Sequence, residues 1–171
     1  MSMNNENQLI AEQKKAFFEK YPDVKRSENI KCLNLLMKKE FAEAIIKGEK
    51  RVEFRAYSKH YMDRLYDKAL LDYGDKNIPD EDMNDFVDFA RPLRKVERIH
   101  FHNYNNSWSM DVEVDDNWTV AVTREEVEDL QLTYDCHELD DMLVDLEKTK
   151  EKNRPIFFYF ALGKILSREG I

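Results

Sequence analysis

Residues 48–55 read Gly-Glu-Lys-Arg-Val-Glu-Phe-Arg, and the fold of the neighbouring chain is best worked out from this segment. Its second half alternates, so that Val52 and Phe54 face one way while Glu53 and Arg55 face the other. A repeat of two residues is typical of a strand with one buried face. We therefore predict a strand here whose polar face carries basic and acidic side chains in line.

The chain before this segment predicts a strand followed by a short helix. Cys32–Met37 is an apolar run of the length of a buried strand. In the next stretch, Lys38–Lys47, the apolar residues fall on one helical face: Phe41, Ala42, Ile45 and Ile46. Gly48 then fits the left-handed position that commonly ends a helix.

Two other parts of the chain are predicted to be helical. Residues 58–90 carry apolar residues at helical spacing, broken near Pro79 and ended by Pro92, so we interpret 58–91 as a helical insertion. Residues 9–20 also follow helical spacing. We expect residues 1–28 to form an N-terminal helical appendage, packed on the domain formed by residues 29–171.

The second half of the chain predicts further strands around an acidic helix. Arg94–Asn103 is a strand candidate, and Trp108–Val122 alternates on both sides of Asp115-Asp116-Asn117, which predicts a hairpin. An acidic helix is expected from about residue 124, after a capping box at Thr123. Pro155–Ser167 is apolar on both faces and predicts a central strand, with Gly163 at a bend or bulge.

Charge is distributed unevenly along the 171 residues, whose net charge is −8. Residues 24–55 hold nine Lys and Arg against five Asp and Glu, whereas residues 125–151 hold two Lys against eleven Asp and Glu. Because affinity for duplex DNA comes from clustered cations, we do not expect duplex DNA as a partner. The sequence has no apolar run of about 18 residues, and its first residues are polar. We therefore expect a cytoplasmic protein without a membrane partner.

The order of predicted elements and the segment 48–55 together resemble the ASCH family of the PUA-like superfamily. Gly48, Lys50, Glu53 and Arg55 match that family's G-x-K-x-x-E-x-R signature at every defined position. The resemblance covers roughly residues 30–168. It implies an α+β fold, a small and mostly antiparallel PUA-like β-barrel with flanking helices.

The resemblance also implies a binding module for RNA or a modified nucleotide, working in a cleft beside this segment. We expect Lys50, Glu53 and Arg55 to carry the site, because Arg presents a donor fork for phosphate or a base edge and Glu can accept from an exocyclic amine. Tyr57 and Tyr104 are predicted to stack on a base.

Two other functions remain open from the sequence. Some small ASCH members hydrolyse acetylated cytidine with a Lys and a Thr three residues later. Here Lys50 is followed at that spacing by Glu53, which favours binding over catalysis. The acidic segment 125–151 is an alternative surface, for a basic protein partner.

We expect no cofactor and no metal. His100 and His102 are two residues apart on one predicted strand, but no further ligand completes a zinc set around them. Cys32 and Cys136 form no CxxC pair, and we expect both as reduced thiols.

Overall fold

A computed structural model describes residues 3–171 of the chain. Within that range lie seven α-helices, five strands and a π-helical turn at Phe86–Ala90. The helices are α1 (Met3–Lys20), α2 (Lys39–Ile46), α3 (Lys59–Leu65), α4 (Lys68–Asn77), α5 (Asp80–Asp85), α6 (Arg124–Tyr134) and α7 (Asp140–Lys148). The strands are β1 (Leu33–Leu36), β2 (Val52–Ala56), β3 (Arg98–His102), β4 (Ser109–Ala121) and β5 (Ile156–Glu169).

The five strands form one mixed sheet in the order β1-β3-β4-β5-β2. β1 pairs with β3 in parallel, and the other three pairings are antiparallel. The α+β class and the mostly antiparallel sheet are thus confirmed for the described residues. The sheet curves as a half-barrel with β1 and β2 at its two ends.

The chain groups into two compact units. One comprises the chain up to Asn29 together with Asp63–Lys95, and the other comprises Ile30–Met62 together with Val96–Ile171. The predicted domain boundaries, an appendage over 1–28 and an insertion at 58–91, stay predictions. Met1 and Ser2, where the predicted appendage begins, lie outside the described residues.

The first unit is helical and has its own small core. Phe17 of α1 is buried against Phe86 and Phe89 at the π-helical turn, with ring centroids 6.5 and 6.1 Å apart. The one buried residue of α1 contacts the helical segment that shares its unit, and the packing of α1 on the barrel stays a prediction.

The second unit holds the sheet, and the acidic helices cover one of its faces. Apolar residues of α6 and α7 pack on β2 and β4, since Val52, Val120, Val127, Leu130 and Leu143 belong to one buried cluster. The sequence predicted a single helix or loop from 124 to about 150, whereas the structure has two helices. The predicted cap is present, because the Thr123 hydroxyl accepts from the Glu126 N–H at 3.4 Å.

The predicted hairpin at Asp115-Asp116-Asn117 is wrong. β4 runs through this tripeptide as one strand of 13 residues, and its pairing with β5 shifts register on either side of Val114. Asn117 is 1% exposed, and its Oδ1 accepts from the Val96 N–H at 2.9 Å. A residue typical of turns is therefore held inside the unit by a buried hydrogen bond.

The long closing strand and its irregular glycine are confirmed. β5 lies between β4 and β2, and Gly163 falls where its register with β4 shifts. A Cβ atom at Gly163 would lie 2.4 Å from Oδ1 of Asp115, so any other residue there would make the Asp115 side chain shift. Among residues 3–171 no helix is long and apolar enough to cross a membrane.

Candidate functional site

The segment 48–55 enters β2 through a tight turn at the end of α2. Gly48 has φ of 77°, a left-handed conformation that favours glycine, and its N–H donates to Ile45 O at 3.0 Å. The N–H groups of Glu49 and Lys50 both donate to Ala44 O, at 2.9 and 3.2 Å. This turn fixes the position of Lys50 just before the strand begins.

Lys50 points into the protein. Its ammonium donates to Val52 O at 2.9 Å and to Glu138 Oε1 at 2.8 Å, and the Lys50 side chain is only 10% exposed. The Phe41 ring lies 5.9 Å from the ammonium. Glu138, from the turn between α6 and α7, has a side chain that is 44% exposed.

Glu53 is buried on the face of β2 that the sequence predicted to be half-exposed. The residue is 8% exposed, and its cross-strand partner on β5, Phe160, is fully buried. Its Oε1 accepts from the Phe54 N–H at 3.1 Å, but its Oε2 has no hydrogen-bond partner among the described residues. An unpaired buried carboxylate oxygen is rare and calls for a functional or structural cause.

Burial raises the pKa of the Glu53 carboxyl above its ordinary value of 4.5, and the nearby Glu138 carboxylate adds to this effect. The charges of Lys50 and Arg55 and the Phe54 N–H act in the opposite direction. Two cations therefore flank Glu53 without cancelling the cost of its desolvation. Such a group can accept a hydrogen bond when ionised and donate one when protonated.

Arg55 holds the next turn of the chain in place. Its guanidinium donates to the Tyr61 hydroxyl at 3.1 Å and to Leu36 O at 2.8 Å, and its Nε lies 3.7 Å from Glu53 Oε1. The structure therefore brings Lys50, Glu53 and Arg55 together as one group, called the motif cluster below. Glu53 lies at its centre, since both cations act on its carboxyl.

The two predicted stacking residues differ in their placement. Tyr57 is 38% exposed and packs its ring on Phe158, with centroids 4.9 Å apart. Tyr104 is 91% exposed and lines a cleft. Lys50, Glu53 and Arg55 are not among the described residues that line this cleft. That Tyr57 and Tyr104 stack on a base of the ligand stays a prediction.

One cleft does lie beside the segment 48–55. It has a volume of about 490 Å³, and Lys50 is the member of the motif cluster that lines it. The full lining is Ile45, Gly48, Lys50, Arg51, Asp115, Thr133, Tyr134, Leu162 and Gly163. We call this the Lys50 cleft.

Sequence reasoning missed Glu138 and Tyr61. Glu138 belongs to the acidic segment, which was interpreted as a solvated or interacting surface, yet its carboxylate is the anion that pairs with Lys50. Tyr61 was assigned only to an amphipathic helix, yet its hydroxyl fixes Arg55. Lys50 and Glu138 lie 88 residues apart, and Arg55 and Tyr61 lie 6 residues apart in two different elements. Neither pair therefore produces a periodic pattern in the sequence.

The histidines on β3 are accounted for by local contacts. His100 Nδ1 lies 2.5 Å from Asp111 Oδ1 on β4, and the His100 and His102 rings stack with centroids 5.6 Å apart. No group of three or more possible metal ligands occurs in the part of the chain that the structure describes. Cys32 and Cys136 are both free thiols.

Comparison with known proteins gives one structural likeness. No family model matches the sequence, and no curated protein matches it. The chain is similar in structure to an ASCH protein. That structure is a crystal structure of a mutant of ZmASCH from Zymomonas mobilis, with 17% sequence identity and a TM-score of 0.40. The match covers 81% of this chain and 71% of the other.

Proposed function

We propose that this protein is an ASCH-type module with a PUA-like barrel fold, which binds RNA or a modified nucleotide beside the segment 48–55. The observation that carries the proposal is Glu53 Oε2, a buried carboxylate oxygen with no hydrogen-bond partner among the described residues. Leaving such a group unsatisfied costs roughly 1 to 3 kcal/mol. A ligand with an amino or amide N–H would supply the missing partner.

The charges around Glu53 fit the other half of a nucleotide. Lys50 and Arg55 both act on the Glu53 carboxyl, so a phosphate bound nearby would meet two cations. Lys50 already holds an anion, Glu138, whose carboxylate is partly exposed. A phosphate can take the place of that carboxylate without leaving the buried ammonium unpaired.

An amino group on a base suits this arrangement because a carboxylate accepts from the exocyclic amine of cytosine. The raised pKa of Glu53 extends the range, since a protonated Glu53 would donate to a ring nitrogen or a carbonyl oxygen instead. Glu53 therefore selects for the hydrogen-bonding edge of the base, while the cations select for its phosphate.

The same raised pKa supports a second candidate, hydrolysis of an acetylated cytidine. A carboxyl with a raised pKa is suited to pass a proton from water to a leaving amine. Lys50 would then hold the carbonyl oxygen as charge develops on it. This candidate predicts release of acetate from N4-acetylcytidine, lost in Lys50→Ala, and it is abandoned if the parent protein releases none.

Binding is tested with cytidine monophosphate and with a short single-stranded RNA, by calorimetry and fluorescence anisotropy. Glu53→Gln and Arg55→Ala are each expected to weaken binding by roughly tenfold or more, since each removes a charged hydrogen-bonding group. Glu113→Gln and Arg124→Ala are the matched controls, because they change the same charges at exposed positions on β4 and α6.

Each variant is measured at a temperature at which circular dichroism shows it to be folded. Equal affinity of the parent and Glu53→Gln for both ligands would reject the site. Glu53 would then be an inward-pointing charge on an edge strand, a device that discourages pairing of sheet edges.

A further inference from the structure

A second cleft in the same unit has the chemistry of a single-strand binding site. It has a volume of about 530 Å³. Apolar side chains are present in its wall, and two exposed lysines lie at its rim where β1 leads into α2. The lining is Leu36, Met37, Lys38, Lys39, Asn103, Tyr104, Ser107, Trp108 and Gly170, and we call it the Tyr104 cleft.

The loop that carries Tyr104 is held by its own side chains. Asn103 Nδ2 donates to Ser107 Oγ at 2.6 Å, and Asn103 Oδ1 accepts from the Trp108 N–H at 3.4 Å. Asn105 Oδ1 accepts from the Ser107 N–H at 3.1 Å. Tyr104 is nevertheless 91% exposed, so a fixed loop presents a bare aromatic ring to solvent. An aromatic ring in this situation is a stacking platform for any base.

The end of β5 closes one wall of this cleft. Gly170 has φ of 72°, and a Cβ atom there would lie 2.3 Å from Ser107 O. The backbone of residue 170 therefore packs directly on the Tyr104 loop, and only glycine fits. The loop is thus held both by its own hydrogen bonds and by packing against the backbone of residue 170.

A second cleft with basic side chains adjoins the Tyr104 cleft. Lys39 and Gly170 also line an adjoining cleft of about 460 Å³, where Lys47 and Arg168 add two further cations. Glu43 is the one acidic side chain among the described residues of that lining. Two cations that line the Tyr104 cleft and two more that line the adjoining cleft, on a protein of net charge −8, favour a ligand with several phosphates.

The Tyr104 cleft is connected to the motif cluster through Leu36. Leu36 lines the cleft, and its carbonyl oxygen accepts the 2.8 Å hydrogen bond from Arg55. From this connection, we propose that the ligand is a single-stranded RNA that occupies both places. One nucleotide lies at the motif cluster, a neighbouring base stacks on Tyr104, and the phosphates between and beyond them contact Lys38 and Lys39. This inference rests on the proposed function.

The test compares cytidine monophosphate with a fluorescent five-nucleotide single-stranded RNA. The parent is expected to bind the oligonucleotide at least tenfold more tightly. Tyr104→Ala loses roughly tenfold in affinity for the oligonucleotide, because stacking of one base is removed, and leaves affinity for the mononucleotide unchanged. Tyr104→Phe keeps the ring and should retain the affinity of the parent.

The lysines are tested by salt dependence. Each phosphate contact with a single strand contributes about 0.7 to the slope of log affinity against log salt. Lys38→Ala combined with Lys39→Ala should therefore reduce that slope by about 1.4, whereas Lys152→Ala, an exposed lysine in the loop before β5, leaves it unchanged.

The outcomes separate this inference from the proposed function. If Tyr104→Ala binds the oligonucleotide as the parent does while Glu53→Gln loses it, the Tyr104 cleft is not part of the site and the motif site stands. If the parent binds neither ligand, the proposed function fails, and this inference fails with it. Loss of mononucleotide binding in Tyr104→Ala would also overturn the inference, since Tyr104 would then belong to the motif site.

Discussion

The motif cluster and the Tyr104 cleft differ most in the exposure of their central side chains. In the motif cluster a carboxylate that is 8% exposed lies beside a lysine with a 10% exposed side chain, and its carboxyl pKa is raised by burial. In the Tyr104 cleft the Tyr104 ring is 91% exposed and lies on a loop held by hydrogen bonds. Burial of the unpaired Glu53 carboxylate costs folding free energy, whereas the exposed Tyr104 ring carries no such cost.

The largest expected effect is that of Arg55→Ala on stability. Arg55 lies 3.7 Å from the buried Glu53 carboxylate and bonds to Tyr61 and Leu36, so its removal leaves a buried charge with one cation fewer. We expect the free energy of unfolding to fall by about 3 kcal/mol in urea titrations. Arg124→Ala, which removes an arginine from exposed ion pairs, should change it little. Equal losses of unfolding free energy in Arg55→Ala and Arg124→Ala would mean that burial of Glu53 does not make Arg55 more important for stability.

Glu53→Gln should act in the opposite direction, stabilising the fold while it weakens ligand binding. Because the pKa of Glu53 is raised in the folded protein, its favourable contribution is complete below the ordinary value of 4.5 and is lost as pH rises through the raised value. At neutral pH we expect a gain of roughly 1 kcal/mol in the free energy of unfolding.

Thermal unfolding measured from pH 4 to pH 8 checks this prediction. The stability of the parent should fall relative to Glu53→Gln as pH rises, and Glu113→Gln should follow the parent. A variant that is less stable than the parent at every pH would mean that Glu53 holds the fold together.

Glu138→Gln tests whether the anion paired with Lys50 affects the affinity for a phosphate ligand. Glu138 pairs with the Lys50 ammonium at 2.8 Å, so it would compete with the phosphate of the proposed ligand. Removing its charge should tighten binding of cytidine monophosphate by roughly threefold to tenfold, an effect of about 1 kcal/mol. Affinity for cytidine, which lacks the phosphate, should stay the same, and calorimetry on the two ligands distinguishes them. Weaker binding of the phosphate ligand would show that Glu138 belongs to the site.

The smallest expected effect is that of Tyr104→Ala on stability. The ring is 91% exposed, so its loss should change the free energy of unfolding by less than about 0.5 kcal/mol. Differential scanning fluorimetry of Tyr104→Ala and Arg55→Ala, measured side by side, gives the smallest and the largest expected losses of stability. A large loss of stability would show that the ring holds the loop, and it would then not be free to stack.

The sequence predicted local elements well because their signals are periodic. The alternation through Val52, Phe54 and their neighbours predicted β2, and the spacing of apolar residues predicted α2. It failed where a residue's usual preference was overridden. Asn117 favours a turn, but a buried hydrogen bond to Val96 keeps it within β4. Glu53 was placed on a half-exposed face because alternation shows that a side chain points away from the core, not what covers it there.

By itself, the sequence determined that Gly48 turns the chain from a helix into a strand and that this strand carries Lys50, Glu53 and Arg55. Backbone preference and side-chain alternation suffice for that, because both act over a few residues. The burial of Glu53, the pairing of Glu138 with Lys50 and the place of Tyr104 in a cleft that Lys50, Glu53 and Arg55 do not line appear only in the folded chain. Those outcomes depend on which distant elements pack together, and burial and charge pairing are set by that packing.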